Sequence, residues 1–325
     1  MISVVYVTNR PVNCVGTYDP ERKQFVPAAQ PNQYVYLSES LACQTLPPGL
    51  WELVVVDKAN ELPRPELAWC GDRVRYVRPR RTPWGDAFAP SIPRNDGLRE
   101  ARGDIVLGLD DAVSFGPELL AGVLRYATAG RWLAPLWSTH DVPRASGPVV
   151  EQERCGGILA YPRELAIAQG GHEERFAGTE GLEDWNFSLR MTRAGCRFIC
   201  DPSPGLRVTT HPTGKRHRLG LSRCCYAVDA LVTGQPRANQ PWTPEELACF
   251  SGPVCSFAVG AHCKLLGGPS GKNRAALRPC HRPERPSAEA VAIMAGYESR
   301  PFSPFSAEAE QEPPIVPSWS QASAG

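Results

Sequence analysis

Three short, almost uninterrupted apolar runs constrain this chain more than anything else in it. They are Ile2–Val7 (ISVVYV), Leu53–Val56 (LVVV) and Ile105–Leu109 (IVLGL). Each is too short for a buried helix and too uniformly apolar for a strand with one wet face. Such runs fit strands covered on both sides, as in a parallel sheet packed between helices. Amphipathic segments lie between and after them. Tyr34–Thr45 sets Val35, Leu37, Leu41 and Ala42 on one side and stops at Pro47-Pro48. Pro117–Ala127 groups Leu119, Leu120, Val123 and Leu124, and Asp184–Ala194 aligns Trp185, Leu189 and Thr192 before Gly195. Strand–helix alternation of this kind predicts an α/β chain with a doubly wound sheet. Ligands of such sheets sit at the carboxyl ends of strands. Asp57 closes LVVVD and Asp110-Asp111 close IVLGLDD, so the chemistry is expected there.

Bulk properties narrow the function classes. A length of 325 residues suffices for one large α/β domain with an appendage. The formal charge of +1 gives no bulk attraction for a polyanion, so no nucleic-acid partner is expected. No apolar stretch approaches the roughly 18–20 residues that cross a bilayer, so no integral membrane segment is expected. The opening MISVVYVTNRPV has no basic n-region and no small-residue cleavage site. It reads as a first core strand, which makes the cytoplasm the expected compartment. Of twelve cysteines, Cys14, Cys43, Cys70, Cys155, Cys196, Cys200 and Cys224 are scattered through ordinary globular sequence and are expected as free thiols.

The chain divides by composition. Residues 1–220 read as the main domain, with a polar, Pro-rich insertion at about 13–33. Residues 221–280 read as an extension with helical potential at first and then a Gly- and Cys-rich stretch. Residues 281–325, rich in Pro, Ser, Glu and Ala, are expected to be a disordered tail. Cys249, Cys255, His262, Cys263, Cys280 and His281 fall together in or beside the extension. Their spacing does not match the tight pairs of structural zinc modules, so loosely packed thiols are the expectation.

A carboxylate pair directly after a buried strand is costly unless something neutralises it. A divalent cation bridging to a phosphate does so, and hard oxygen ligands favour Mg2+ or Mn2+ over Zn2+. The alternative is that Asp110 caps the next helix while Asp111 faces water. Asp57, at a strand end, can accept the N–H of a uracil- or guanine-type base edge. Glu183 and Asp184 open a helix. They either complement its dipole or, by mutual repulsion and partial burial, hold a carboxylate ready to take a proton.

These pieces, taken in order over about two hundred residues, resemble glycosyltransferase family 2. The resemblance runs through Val7-Thr8-Asn9-Arg10, Gln44-Thr45-Leu46-Pro47, Val55-Val56-Asp57, Arg94-Asn95-Asp96-Gly97 and Ala101-Arg102-Gly103-Asp104. It continues through Asp110-Asp111, Gly156-Gly157, the turn Gly170-Gly171-His172-Glu173-Glu174-Arg175-Phe176, and Glu183-Asp184 with Arg190 and Gly195 downstream. It implies a GT-A type doubly wound, mostly parallel sheet flanked by helices across residues 1–220, followed by the irregular Cys-rich C-terminal extension. It also implies a metal-dependent inverting transferase. A sugar would move from a nucleotide diphosphate, preferably UDP, to a hydroxyl of a glycan, small molecule or protein.

The resemblance assigns Asp111, Asp110 and His211 to Mn2+ or Mg2+. It assigns Thr8, Asn9, Arg10, Asp57, Arg94, Asn95 and Asp110 to the nucleotide, and Asp184, beside Glu183, to the general base. Gly156, Gly157 and Trp185 fall on the acceptor side. Lys215, Arg216 and Arg218 either clamp phosphate or form a solvated turn, His211 is otherwise a surface residue, and Trp185 either stacks on a sugar or joins the core.

The chemistry fits such a set. Displacement at an anomeric carbon passes through an oxocarbenium-like state, so a diphosphate must be stabilised as it leaves and an acceptor must lose a proton. Two departures stand out: Ala112 where the family commonly has a third acidic or polar residue, and Lys58-Ala59-Asn60 after Asp57. They leave two other readings open. A sugar-phosphate nucleotidyltransferase would need a Gly-rich basic loop near the N-terminus, for which Arg10-Pro11-Val12-Asn13 is a poor substitute. A catalytically degenerate nucleotide- or glycan-binding module is favoured by Ala112 and opposed by intact Asp111 and Asp184.

Overall fold

The apolar runs become the middle of a mixed sheet. Ile2–Thr8 (β1) lies between Trp51–Asp57 (β4) and Ile105–Asp110 (β6), parallel to both. The computed structural model describes residues 1–19, 21–22, 24–80, 90–111, 113–126, 132–135, 158–174, 183–198 and 207–208. Within them the sheet has seven strands. Val74–Val77 (β5) extends it beyond β4, and Leu159–Pro162 (β9), Trp132–Pro135 (β8) and Arg197–Phe198 (β10) extend it beyond β6. β9 is antiparallel to both its neighbours, while β8 and β10 are parallel to each other. Two small antiparallel pairs lie outside this sheet: Gly16–Asp19 (β2) with Gln24–Pro27 (β3), and Val113–Ser114 (β7) with Arg207–Val208 (β11).

Side chains on the central strands alternate between two apolar layers, as the twofold repeat of a strand requires. Tyr6, Leu53, Val55, Leu107 and Leu109 join one layer with Gln33–Ala42 (α1) and Leu119–Arg125 (α3). Val5, Val54, Val56 and Val106 join the other with Ser91–Glu100 (α2), Arg163–Ala168 (α4) and Glu183–Arg193 (α5). Burying each such side chain contributes about 1.5–3 kcal/mol. Both faces of the sheet are thereby covered, which is the doubly wound arrangement expected of these runs.

Several local readings change. The stripe that α1 buries begins at Tyr34 and runs through Leu37 and Leu41, whereas Ala42 is exposed. A helix that packs on a sheet keeps the i, i+3, i+7 stripe that reaches deepest, and an aromatic at its start reaches furthest. In α5 Phe187 and Met191 join the apolar layer, and the side chains of Trp185, Leu189 and Thr192 lie outside the described ones. The stretch read as an inserted loop at about 13–33 contains the β2–β3 hairpin and the first residue of α1. Cys14, Cys43, Cys70 and Cys196 are free thiols. The extension at 221–280 and the tail at 281–325 lie outside the described residues. Among the described residues no helix is long and apolar enough to cross a membrane.

Two features of the fold position the strand ends. The chain builds β1, β4 and β5 toward one edge, then returns through α2 to place β6 on the other side of β1. Order reverses between β1 and β6, and a crevice opens at the carboxyl end of such a switch point. The register sets Thr8 beside Asp57 and Val7 beside Asp110, so the three polar strand ends emerge together. Secondly, α2 sits unusually close to the sheet. A Cβ on Gly97 would come within 2.2 Å of Val5 Cγ1 and 3.1 Å of Val56 Cγ2. Glycine at 97 lets the helix carry its polar residues down over the strand ends. Pro93 is tolerated because it lies in the first turn, where backbone N–H groups have no partner within the helix.

Candidate functional site

The carboxylates of Asp110 and Asp111, though adjacent, serve opposite sides of the crevice. Asp111 turns toward the end of β1. Its Oδ2 accepts a hydrogen bond from Thr8 Oγ1 at 3.1 Å and forms an ion pair with Arg10 Nε at 2.9 Å. The Arg10 backbone N–H donates back to Thr8 Oγ1 at 3.2 Å, which closes a small ring of contacts. Asn9, between them, is exposed. Asp110 turns toward α2, and its Oδ1 accepts from Arg94 Nη2 at 3.0 Å.

Arg94 is the centre of the other side. Its Nη1 donates to Asp184 Oδ1 at 2.6 Å and lies 3.5 Å from Glu183 Oε1. One guanidinium thus faces three carboxylates that come from the end of β6 and the start of α5. Burial opposes the charge on Arg94, but Asp184, Asp110 and Glu183 outweigh it and hold the proton firmly. The carboxylates show the converse. Burial raises Asp184 to about 8 against the pull of Arg94, with help from Glu183 and Asp110. Burial raises Glu183 as well. Three acids on one base leave an excess of negative charge, and a cluster of this kind keeps a proton on one of its acids near neutrality.

Asp57 is fully buried and tightly engaged. Its Oδ1 accepts the backbone N–H groups of Ala59 at 2.7 Å and Asn60 at 3.1 Å. Its Oδ2 accepts from Asn60 Nδ2 at 2.8 Å and from the Tyr34 hydroxyl. Burial and the nearby Asp57 push the Tyr34 hydroxyl far above its ordinary range, so it remains a donor. Asn60 also ties down the loop after β1, donating to Arg10 O at 2.7 Å and accepting from Val12 N at 2.7 Å. That pair of bonds fixes the backbone on either side of Pro11 and aims Arg10.

Asn95 lies one residue on, deeper in the fold. Its amide donates to His172 O and to Glu174 Oε1, both at 2.8 Å, and accepts from His172 N at 2.7 Å. Beside it, Arg80 bonds Asp96 at 2.6 Å and Glu174 at 2.6 Å, so the end of β5, α2 and the turn at Gly170–Glu174 are joined by ion pairs. In the same region His172 stacks on Phe187 at 4.2 Å, and burial holds its imidazole neutral. Arg190 donates to Gly171 O at 2.6 Å and to Gln169 O, fixing a turn whose glycines have φ of 80° and 68°. These contacts set where α5 begins, and so where Glu183 and Asp184 stand.

The structure therefore gathers Thr8, Arg10, Asp57, Arg94, Asp110, Asp111, Glu183 and Asp184 at one end of the sheet. Asn95 lies just beneath. Trp185 is the third residue of α5. Gly156, Gly157, His211, Lys215, Arg216 and Arg218 lie outside the described residues. Sequence reasoning passed over Tyr34, Asn60 and Arg80. Their roles arise from contacts 23, 50 and 94 residues away, which no local pattern announces.

Among the described residues no three His, Cys, Asp or Glu side chains are arranged as a ready cation cage. The donor chemistry nonetheless fits a hard divalent ion. Asp110 and Asp111 offer carboxylate oxygens at the end of β6, the Asp110 side chain is 45% exposed, and acids outnumber bases around Arg94. Such an ion keeps several ligand positions for water and substrate phosphate, so two protein carboxylates are enough.

A doubly wound sheet with acids at its switch point defines the fold class, and comparison with solved structures narrows it. The chain is similar to S. aureus TarS 1–349 in complex with UDP-GlcNAc, with a TM-score of 0.51 and 15% identity over 85% of this chain and 76% of that one. It is similar also to GalNAc-T7 with UDP, GalNAc and Mn2+, with a TM-score of 0.50 and 15% identity over 71% of this chain and 47% of that one. It spans 39% of the longer S. aureus TarS chain. No protein-family model matches the sequence, and no curated protein matches it. The fold is the GT-A fold of nucleotide-sugar transferases.

Proposed function

We propose that this protein is a metal-dependent, inverting glycosyltransferase that moves a hexose from a nucleoside diphosphate, UDP by preference, to an acceptor hydroxyl. The observation that carries the reading is the chain Asp110–Arg94–Asp184, which joins a donor-side carboxylate to a buried, proton-holding carboxylate through one guanidinium. The two similar structures support it, since one holds UDP-GlcNAc and the other UDP, GalNAc and Mn2+.

In this reading Asp110 and Asp111, with His211, would hold Mn2+ or Mg2+. The ion supplies Lewis-acid stabilisation of the diphosphate. Thr8, Asn9, Arg10 and Asp57 flank the nucleotide. Arg94 and Asn95 serve it from behind, Arg94 by orienting Asp110 and Asn95 by anchoring α2. Asp184 takes the proton of the acceptor hydroxyl as the acceptor oxygen bonds to the anomeric carbon, and the nucleoside diphosphate leaves with the electrons of the broken bond. Arg94 stabilises the ionised form of Asp184 before the proton arrives, and Glu183 keeps its proton affinity high. Gly156, Gly157 and Trp185 border the acceptor, which is a glycan, small molecule or protein, and the reaction is cytoplasmic.

A panel of nucleotide sugars assayed for Mn2+-dependent donor hydrolysis tests this, with Asp111→Asn as the control. Turnover that survives the substitution undiminished overturns the metal assignment. Binding of UDP without metal dependence and without any turnover favours a binding module instead.

A further inference from the structure

We infer that Arg10 is a built-in counterion that competes with the divalent cation for Asp111, so that metal and nucleotide enter this site as a coupled pair. The inference rests on the donor reading given above and deepens it. Asp111 Oδ2 is held at once by Thr8 Oγ1 at 3.1 Å and by Arg10 Nε at 2.9 Å. A small hard ion such as Mg2+ sits about 2.0–2.1 Å from a carboxylate oxygen it bonds. An ion on that same oxygen would face a guanidinium a few ångströms away, with little water to screen it, because the Asp111 side chain is 9% exposed and that of Arg10 21%. The ion and Arg10 therefore exclude each other at that oxygen.

Arg10 is anchored by its backbone. Asn60 grips the backbone on both sides of Pro11, through Arg10 O and Val12 N. The side chain can swing, while its root stays at the switch point between Thr8 and Asp111. A diphosphate entering this crevice offers a new partner for a guanidinium, which binds phosphate as well as it binds carboxylate. Arg10 then passes from carboxylate to phosphate and exposes Asp111 to the cation. The cost of breaking the Arg10–Asp111 pair is met once for both ligands, and this makes each ligand raise the affinity of the other. Bare metal binds weakly, and the site is protected from filling with cation when no donor is present.

The test uses the full chain and counts free Mn2+ from its aqueous electron paramagnetic resonance signal, with UDP affinity measured by calorimetry. In the native protein, Mn2+ alone binds weakly, and UDP tightens it by at least about tenfold beyond the affinity of Mn2+ for free UDP. Arg10→Gln binds Mn2+ alone about tenfold more tightly than the native protein, and the mutual enhancement between Mn2+ and UDP shrinks by a similar factor. Arg10→Met, which keeps the stem without any polar head, gives the same gain, so the result does not hang on one variant folding. Arg10→Lys retains the charge and stays near the native affinity for bare Mn2+. If native protein forms the ternary complex but Gln and Met variants bind bare Mn2+ no more tightly, the counterion role is refuted. If the native protein binds neither Mn2+ nor UDP, singly or together, the donor reading itself fails.

Discussion

Arg94→Met is the most revealing single change, because it removes the one base shared by three acids while keeping most of the side-chain volume. The three contacts are not equal. The Asp110 side chain is 45% exposed, and a pair at that exposure contributes at most about 1 kcal/mol. The side chains of Glu183 and Asp184 are only 7% and 15% exposed, so they are left as buried acids with no counterion. Stranding a buried partner in this way costs about 3–5 kcal/mol while the acids are ionised. They escape by protonation, and that makes the loss depend on pH. Burial already raises Asp184 to about 8, and Arg94 is what pulls it down, so the variant holds its proton to still higher pH. A carboxyl whose folded value lies above the unfolded one weakens the fold as pH rises from about 4 through the folded value. The variant adds to that slope. At pH 5.5 only hydrogen bonds are lost, about 1–2 kcal/mol. At pH 9 the native acid is ionised while the variant still holds its proton, which adds about 1.4 kcal/mol per pH unit above 8 and brings the loss to roughly 2–3 kcal/mol. Urea unfolding followed by the fluorescence of the eight tryptophans measures both. A difference between native and variant that is flat from pH 5.5 to 9, or below about 1 kcal/mol at pH 9, refutes the shared-base account.

Asp184→Asn keeps the shape of the site and removes the proton acceptor. Transfer to acceptor falls about 10²–10⁴-fold while UDP binding with Mn2+ changes little, and a loss below tenfold sinks the general-base role. The pH profile of native transfer rises with pH and levels off above about 8, because the base must be ionised. A plateau already reached near pH 5 contradicts the raised value. Gly97→Ala places a methyl 2.2 Å from Val5 Cγ1. It lowers stability by about 1–3 kcal/mol and weakens donor binding as α2 lifts. A melting temperature unchanged within a degree means the helix is not seated so closely.

The central strands were legible because burial on both faces leaves an unbroken apolar signature, and their ends were legible because acids follow directly. β5 was not. Its four residues include Arg75, which is drawn in by Glu52 at 3.0 Å and the Glu100 carbonyl, so neither alternation nor an apolar run survives. α2 was recognised only as a motif. Seven of its ten residues are buried, yet most of them are polar, and a helix that buries its polar side has no amphipathic period to detect. The β2–β3 hairpin was hidden for another reason: strands of four residues in a Pro-rich stretch look like loop.

The same logic explains what the sequence conveyed about the site. It pointed to which side chains gather at the switch point, since strand ends and register follow from burial. It did not indicate which charges cancel. Arg10 and Arg94 both look like nucleotide ligands when read along the chain. In the fold each meets acids far off in sequence: Arg10 meets Asp111, and Arg94 meets Asp110 and the Glu183-Asp184 step. Those pairings depend on how closely α2 rests on β1 and where α5 starts. These depend in turn on the missing Cβ of Gly97 and on the turn that Arg190 holds at Gly171. A site in which Arg10 already occupies Asp111 is one that the cation must enter by exchange. On the counterion account, Arg10 couples the entry of cation and diphosphate as much as the carboxylates do.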